Sequence, residues 1–318
     1  MPAQNKGSKQ KSKPSHIVGI GASAGGLKAL QQFFSNMQPE TGIAFVIIQH
    51  LSPDYKSMMV ELLNKHTKMA VCRAQDGMEM EPDHIYLITP RKNITTMNGK
   101  LFLAEQVERQ GLNLPIDNFF RSLAEDQGER ALGIILSGTG SDGTRGLRAI
   151  KAEGGTIFVQ SEESAEFDGM PRCAIATGLA DFILSPEQMP VQLLQFINHP
   201  RIAGPKEPLE VIKKEENSFT KLFSVLKKKC KVDFTYYKPA TVVRRIERRM
   251  VIVQVDGIDE YMDYIHRNPP ETIALFKDLL IGVTKFFRDH EAFNSIAEKA
   301  LPALISQAEV RNHPLLRV

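Results

Sequence analysis

The chain has 318 residues, 42% of them hydrophobic and 24% charged, with a formal net charge of only +3. That length predicts roughly two domains of about 150 residues, each able to bury a core, and the near-neutral balance excludes a chain-wide binder of polyanions, so any basic signal must be local. Cys72, Cys173 and Cys230 are too few and too scattered for a disulfide framework or a cysteine zinc site, and no apolar run approaches the roughly 18 residues of a membrane span.

In chain order, the first residues, "MPAQNKGSKQKSKPSH", are basic and polar with no apolar centre, so they read as a disordered tail rather than a signal peptide. "HIVGIG" follows as a strand, then a helix that packs Leu27, Leu30, Phe33 and Phe34. "IAFVIIQH" is a continuous apolar run, the pattern of a strand buried on both faces. A helix near Lys56–His66 precedes strands "MAVCRA" and "HIYLITP", and "ITTMNGKLFLAE" reads as a hairpin around Asn98-Gly99. A helix over about Asp117–Asp126, the apolar strand "ALGIILSG", the helix "TRGLRAIKAEG" and strands "GTIFVQS" and "DFILSP" complete the set. The alternation predicts a doubly wound α/β domain with a mostly parallel sheet, residues 16–199. Residues 200–216, rich in proline and charge, read as a linker. From Asn217 to about residue 305 the pattern is helical, with a hint of strand only around Val251–Val255. This predicts a second, small all-helical domain. The terminal "NHPLLRV" reads as the start of a strand, so residues 306–318 are expected to open a further domain.

"GIGASAGGLKAL", residues 19–30, has the look of a phosphate-cradling turn. Gly21 and Gly26 have Walker spacing, but Leu27 and Lys28 stand where Lys and Ser or Thr are needed. A dinucleotide fold needs a carboxylate at the end of the second strand; here that strand ends in Gln49 and His50. Ser23 therefore becomes the informative residue. In an open α/β sheet, sites lie beyond the carboxyl ends of the strands. Ser23 lies just past strand one, His50 at the end of strand two, and Asp142, in "ILSGTGSDGT", past another buried strand. A serine hydroxyl is a weak nucleophile; it needs a base, and the base needs a group to orient it. Free N–H groups near Ala24 and Thr139 would bind an oxyanion. Each residue also has a bland reading: Ser23 as a helix cap, His50 as a structural donor, Asp142 as a turn former. A serine hydrolase explains all three together, in an order, Ser–His–Asp, that matches none of the common hydrolase orders.

"GIGASAGGLKAL", "IIQHLSPDYKS" and "LSGTGSDGTRGLRAIKAEGGTIFVQSEESAEFDGMPRCAIATGLADFIL" resemble the chemotaxis protein-glutamate methylesterase family, CheB, over about residues 16–198. The resemblance implies hydrolysis of γ-glutamyl methyl esters on chemoreceptor helices, with glutamine deamidation as a second activity. It implies Ser23, His50 and Asp142 as the triad, an oxyanion hole from the backbone of Ala24 and Thr139, and substrate-side roles for Met170 and Arg172. The family usually has Thr and Met where this chain has Ala24 and Thr139, and "LNLPID" replaces its "HRPS" segment. It usually carries an N-terminal receiver domain, which the short tail here does not supply, so phosphorylation control within the chain is not expected.

"VDFTYYKPATVVRRIERRM", "DEYMDYI" and "LFKDLLIGVTKFFRDHEAF" resemble the helical N-terminal domain of the receptor methyltransferases, CheR. This implies an esterase–methyltransferase fusion cut before its S-adenosylmethionine-binding domain. It also implies cofactor contacts from Thr284 and Arg288, in a segment where Gly282 replaces a usual Asn. The basic run "RRIERRM" reads as a solvated helix face, as a nucleic-acid patch without the aromatics such patches use, or, by the resemblance, as a receptor-contact surface of Arg244, Arg245, Arg248 and Arg249. The expectations are thus a cytoplasmic methylesterase that needs no metal or cofactor, with S-adenosylmethionine required only by a full-length fusion. Its partner would be a methylated chemoreceptor, not nucleic acid or an inserted membrane segment. The alternative is an inactive scaffold module of a signalling fusion; a general small-molecule esterase fits less well.

Overall fold

In the computed structural model, residues 13–49, 58–106, 113–203, 216–280, 295–300 and 302 are described. The uninterrupted apolar runs become strands covered by helices on both sides, as their sequences demand: β1 (His16–Ala22) and β2 (Ile43–Gln49) are buried along nearly their whole length. Next come β3 (Ala70–Arg73), β4 (Met78–Glu79), β5 (His84–Leu87), β6 (Lys92–Met97), β7 (Lys100–Glu105), β8 (Ala131–Ile135), β9 (Thr156–Gln160) and β10 (Phe182–Leu184). Seven of them form one sheet in the order β10-β9-β8-β1-β2-β5-β3, and every pairing in it is parallel. β1 lies between β2 and β8, where the chain reverses its direction of winding. This is the switch point at which doubly wound sheets open a crevice.

Helix α1 (Gly26–Ser35) covers one face, with Phe33 and Phe34 packed edge-on against Phe45 of β2 at centroid distances of 6.0 and 5.4 Å. On the other face lies α3 (Pro115–Gln127), after the short α2 (Met59–Asn64). The close approach of α3 explains two of the glycines that resemble a phosphate loop. A Cβ on Gly19 would stand 2.9 Å from the rings of Phe119 and Phe120, and one on Gly21 would stand 2.6 Å from Ile116. These glycines make room for a helix.

The Asn98-Gly99 hairpin is present, with both residues at positive φ (54° and 74°) as a two-residue turn requires. Asp126 of α3 fastens it by accepting from the Thr96 hydroxyl (2.8 Å) and the Gly99 N–H (3.0 Å). The predicted helix near Lys56–His66 is described as the shorter α2, and its first two residues lie outside the described residues. α4 (Thr144–Ala152) is as expected, whereas α5 (Gly169–Ala176) and α6 (Met189–Ile197) gave little signal. Pro171 and Pro190 mark a helix interior as forbidden only if they are not in its first turn, where they actually sit.

His16 at the start of β1 loses proton affinity through burial first and the nearby Arg130 charge second, and its pKa falls from 6.5 to about 4. The unfolded chain therefore takes up this proton more readily than the folded one, so stability falls as pH drops from about 6.5 to about 4. The expected loss from this group is about 2–3 kcal/mol. Urea unfolding of wild type and His16→Gln across that range checks it; parallel pH curves for the two proteins would refute it.

Beyond the short α7 (Pro200–Ala203) come α8 (Glu216–Cys230), α9 (Pro239–Ile252), α10 (Ile258–Arg267) and α11 (Pro269–Leu280). They bury a separate core around Leu222, Leu226, Val243, Ile246, Tyr261 and Leu275. The hint of strand at Val251–Val255 is not realised: α9 runs to Ile252, and the chain then turns through Gln254 at φ 59°. The chain divides into two units, Met1–Ile281 and Gly282–Val318, so the bundle and the sheet belong to one unit. In the second, Ile296–Ala300 form one turn of π-helix. Residues 1–12, most of the predicted linker and residues 303–318 lie outside the described residues.

The bundle meets the sheet through Val251 and Ile252, which pack against the sheet core, and through a buried charge cluster. Lys151, at the end of α4, lies 2.6 Å from Asp181 and 3.0 Å from Asp278 of α11. Arg248 of α9 pairs with the second oxygen of Asp181, which also accepts the Ile157 N–H (2.9 Å). Burial alone would raise the Asp181 pKa, but the Arg248 and Lys151 charges outweigh it and hold the carboxyl below its ordinary range. This takes Arg248 and Arg249 out of the receptor-contact face read from "RRIERRM". Arg248 and Arg249 are only 6% and 9% exposed. Arg249 is forked onto Glu271, which also accepts from the Tyr261 hydroxyl. Arg245 donates to the Asp278 carbonyl. Arg244 alone of the four is exposed, and it pairs with Glu129 at 2.8 Å. A basic helix says nothing of which carboxylates will fold over it.

Candidate active site

Ser23 leaves β1 directly into a turn closed on both sides: its N–H donates to the Ser137 carbonyl (3.0 Å) and its carbonyl accepts from Gly26 (3.0 Å). The cap residue of α1 is Gly25, at φ 71°, with no side-chain cap bond. The Ser23 hydroxyl is therefore not used as a helix cap, which removes its bland reading. It sits beside the first turn of α1, the positive end of the helix dipole. The N–H groups of Ala24 and Thr139 donate to no acceptor among the described residues.

His50 lies outside the described residues. Its predecessor Gln49 is paired in register with Ala22, the residue before Ser23. The carboxyl ends of β1 and β2 are thus level, as the sequence reading required.

Asp142 is buried in the turn between β8 and α4, with Gly140 (φ 86°) and Gly143 (φ 98°) around it. Its carboxylate accepts from two amides in the first turn of α3: Ile116 at 3.0 Å and Asp117 at 2.9 Å. It therefore caps a neighbouring helix rather than its own. A carboxylate has about four acceptor positions, and these two amides occupy two of them.

Ser137, within "LSGTGSDG", is a site residue that the sequence pattern does not single out. Its hydroxyl donates to the Ala24 carbonyl (2.9 Å), with the Phe167 carbonyl at 3.3 Å, and accepts the Phe167 N–H (3.0 Å). Its own N–H donates to Gln160 of β9 (2.8 Å). One side chain thus knits together the Ser23 turn, the β8 loop and the segment before α5. In sequence it reads only as a small residue in a glycine turn, because every partner is distant along the chain. Gly138 is required here too: a Cβ would lie 2.2 Å from the Met170 sulfur and 2.9 Å from the Ser23 Cβ.

Met170, given a substrate-side role by the resemblance, is a buried residue here. It is 1% exposed and packs beneath the Gly138 turn, because α5 turns that side chain into the core. Arg172, two residues on, is exposed and pairs weakly with Asp168 at 3.5 Å. Thr284 and Arg288 lie outside the described residues. One cleft adjoins the Ser23 turn and a second lies past the carboxyl end of β2. The first, of about 270 Å³, is lined by Gly25, Lys28, Ser137, Gln160 and Glu166, the second, of about 200 Å³, by Gln49, Thr89, Arg91 and Asn113. Among the described residues no cluster of His, Cys, Asp or Glu is arranged to hold a metal ion, and no helix is long and apolar enough to cross a membrane.

Residues 18–193 match the family model of the CheB methylesterase, and residues 217–280 match that of the all-alpha domain of the CheR methyltransferase. A protein-glutamate methylesterase/protein-glutamine glutaminase of Geobacter sulfurreducens is 32% identical over 56% of this chain and 49% of its own length. One of Moorella thermoacetica is 35% identical over 54% of this chain and 42% of its own. An uncharacterized 104.1 kDa protein of Rhodobacter capsulatus is 38% identical over 79% of this chain but only 28% of its own length. The chain thus spans about half or less of these relatives. The crystal structure of the Thermotoga maritima CheB methylesterase catalytic domain superposes with a TM-score of 0.53 at 28% identity, covering 57% of this chain and 98% of that one.

Proposed function

Because residues 18–193 make this chain a member of the CheB methylesterase family, we propose that it hydrolyses glutamyl methyl esters on a chemoreceptor. The observation that carries the reading is that Ser23 and Asp142 both lie beyond the carboxyl ends of the neighbouring strands β1 and β8, with Gln49 of β2 in register with Ala22. The Ser23 oxygen attacks the ester carbonyl while His50 takes its proton. Asp142 fixes the imidazole tautomer and stabilises the imidazolium. The Ala24 and Thr139 amides hold the oxyanion. His50 then returns the proton to methoxide, methanol leaves, and water hydrolyses the acyl-enzyme by the reverse path. All protons are handled by side chains and water, so this half of the proposal calls for no cofactor.

The printed names of the relatives include glutaminase activity, and the same route with ammonia as leaving group would deamidate glutamine. The CheR-type bundle supports a fusion acting on the same receptor region that a methyltransferase would modify. We place the reaction on cytoplasmic receptor helices. The test is methanol release from methylated chemoreceptor fragments. Release above the buffer rate is expected; no release from folded protein with several receptors would turn the reading to a non-catalytic signalling module.

A further inference from the structure

The turn that carries Asp142 contains three glycines, Gly138, Gly140 and Gly143, of which two adopt positive φ. Such a turn has little stiffness of its own. Besides its backbone bonds to Phe167 and Met170, the turn is tied through the Asp142 carboxylate to the first turn of α3. Helix α3 is in turn tied back. Asp117, its third residue, is 2% exposed, and its Oδ1 accepts the Gly146 N–H of α4 at 2.7 Å. The two helices thus cap each other. The carboxylate before α4 holds the amides of α3, and the carboxylate in α3 holds an amide of α4.

Gly146 lets the helices meet this closely. A Cβ there would lie 2.5 Å from the Phe120 Cβ and 3.1 Å from the Asp117 Cα. The arrangement is costly. Burial raises the Asp117 pKa most, with the like charge of Asp142 adding to it and the α4 amides opposing. Two buried carboxylates side by side are a poor way to join two helices for stability alone. Such a conflict is expected where a functional group has to be held in place.

We propose that Asp117 is a positioning residue, which fixes Asp142 through the reciprocal clasp of α3 and α4; this rests on the esterase reading above. Displacement of a catalytic group by about 1 Å costs on the order of a hundredfold in rate. Asp117→Ala removes the Gly146 bond and lets the Asp142 turn relax. Asp117→Asn keeps the Oδ1 acceptor and removes the like charge.

The experiment measures methanol release and the rate at which a fluorophosphonate probe labels Ser23, on the full chain, with thermal melts alongside. Asp117→Ala is expected to lower turnover and labelling about 10- to 100-fold with KM within threefold of wild type. Asp117→Asn should restore both to within about threefold. If Asp117→Ala does not fold, Asp117→Ser, whose hydroxyl is too short to reach Gly146, is read in its place. Wild-type rates in the alanine or serine variant would overturn the inference, as would an asparagine variant as impaired as alanine. A wild-type chain that neither releases methanol nor takes the label would instead overturn the esterase reading itself.

Discussion

Ser23→Ala is expected to lower methanol release by about six orders of magnitude, to the rate set by the oxyanion amides and substrate binding alone. The variant should fold as wild type does. Both turn-closing bonds at Ser23 are made by its backbone, and the hydroxyl caps no helix. KM should change little, since the nucleophile contributes mainly in the transition state. Side-by-side assays of wild type and variant on methylated receptor fragments, with matched melting curves, decide it. Equal rates would remove Ser23 from the chemistry. A fall of only a few-fold would point to a role in shaping the turn, since a triad nucleophile cannot be lost so lightly.

Asp181→Ala should be the most damaging change outside the site. It leaves Lys151 and Arg248 both buried and short of their shared carboxylate. Breaking a buried pair from one side typically costs about 3–5 kcal/mol, and Asp278 compensates only Lys151. The melting temperature should fall by on the order of 10 °C. The cluster is not a strong net stabiliser, however. Arg248 Nε and Nη1 and Asp278 Oδ2 have no partner among the described residues. Replacing the charged group together, as Lys151→Met, Asp181→Leu, Arg248→Met and Asp278→Leu, is therefore expected to recover most of the loss, as apolar substitutes for buried ion pairs often do. A single variant that melts within about 2 °C of wild type would show that the cluster does not hold the bundle to the sheet. Asp181 precedes β10, at the opposite end of the strands from Ser23, so the turnover of folded protein should stay within a few-fold.

Much of this was legible in the residues. Apolar runs such as "IAFVIIQH" announce strands buried on both faces, because no amphipathic alternation interrupts them. The carboxyl-end positions of Ser23 and Asp142 follow from strand ends alone. Elements with weak local signal were harder. β4 is two residues long, and α5 and α6 carry prolines that are harmless only in a first turn. Met170 was drawn to the substrate side by its motif, yet helix geometry turns it inward while Arg172 points out.

By itself, then, the sequence determined the parallel α/β sheet, the Ser23 turn at its switch point, and a helical segment to follow. These depend on periodicity and on neighbours within a few residues. The tertiary structure alone decided where the charges went. Gly19 and Gly21 turned out to make room for a helix about 100 residues further on. Arg248 and Arg249 went into pairs with Asp181 and Glu271 instead of facing solvent. Ser137 and Asp117 became the ties that hold the site. The physical reason is common to all of them. A polar group is buried only where distant chain brings it a partner, and helical or strand periodicity carries no information about which partner arrives.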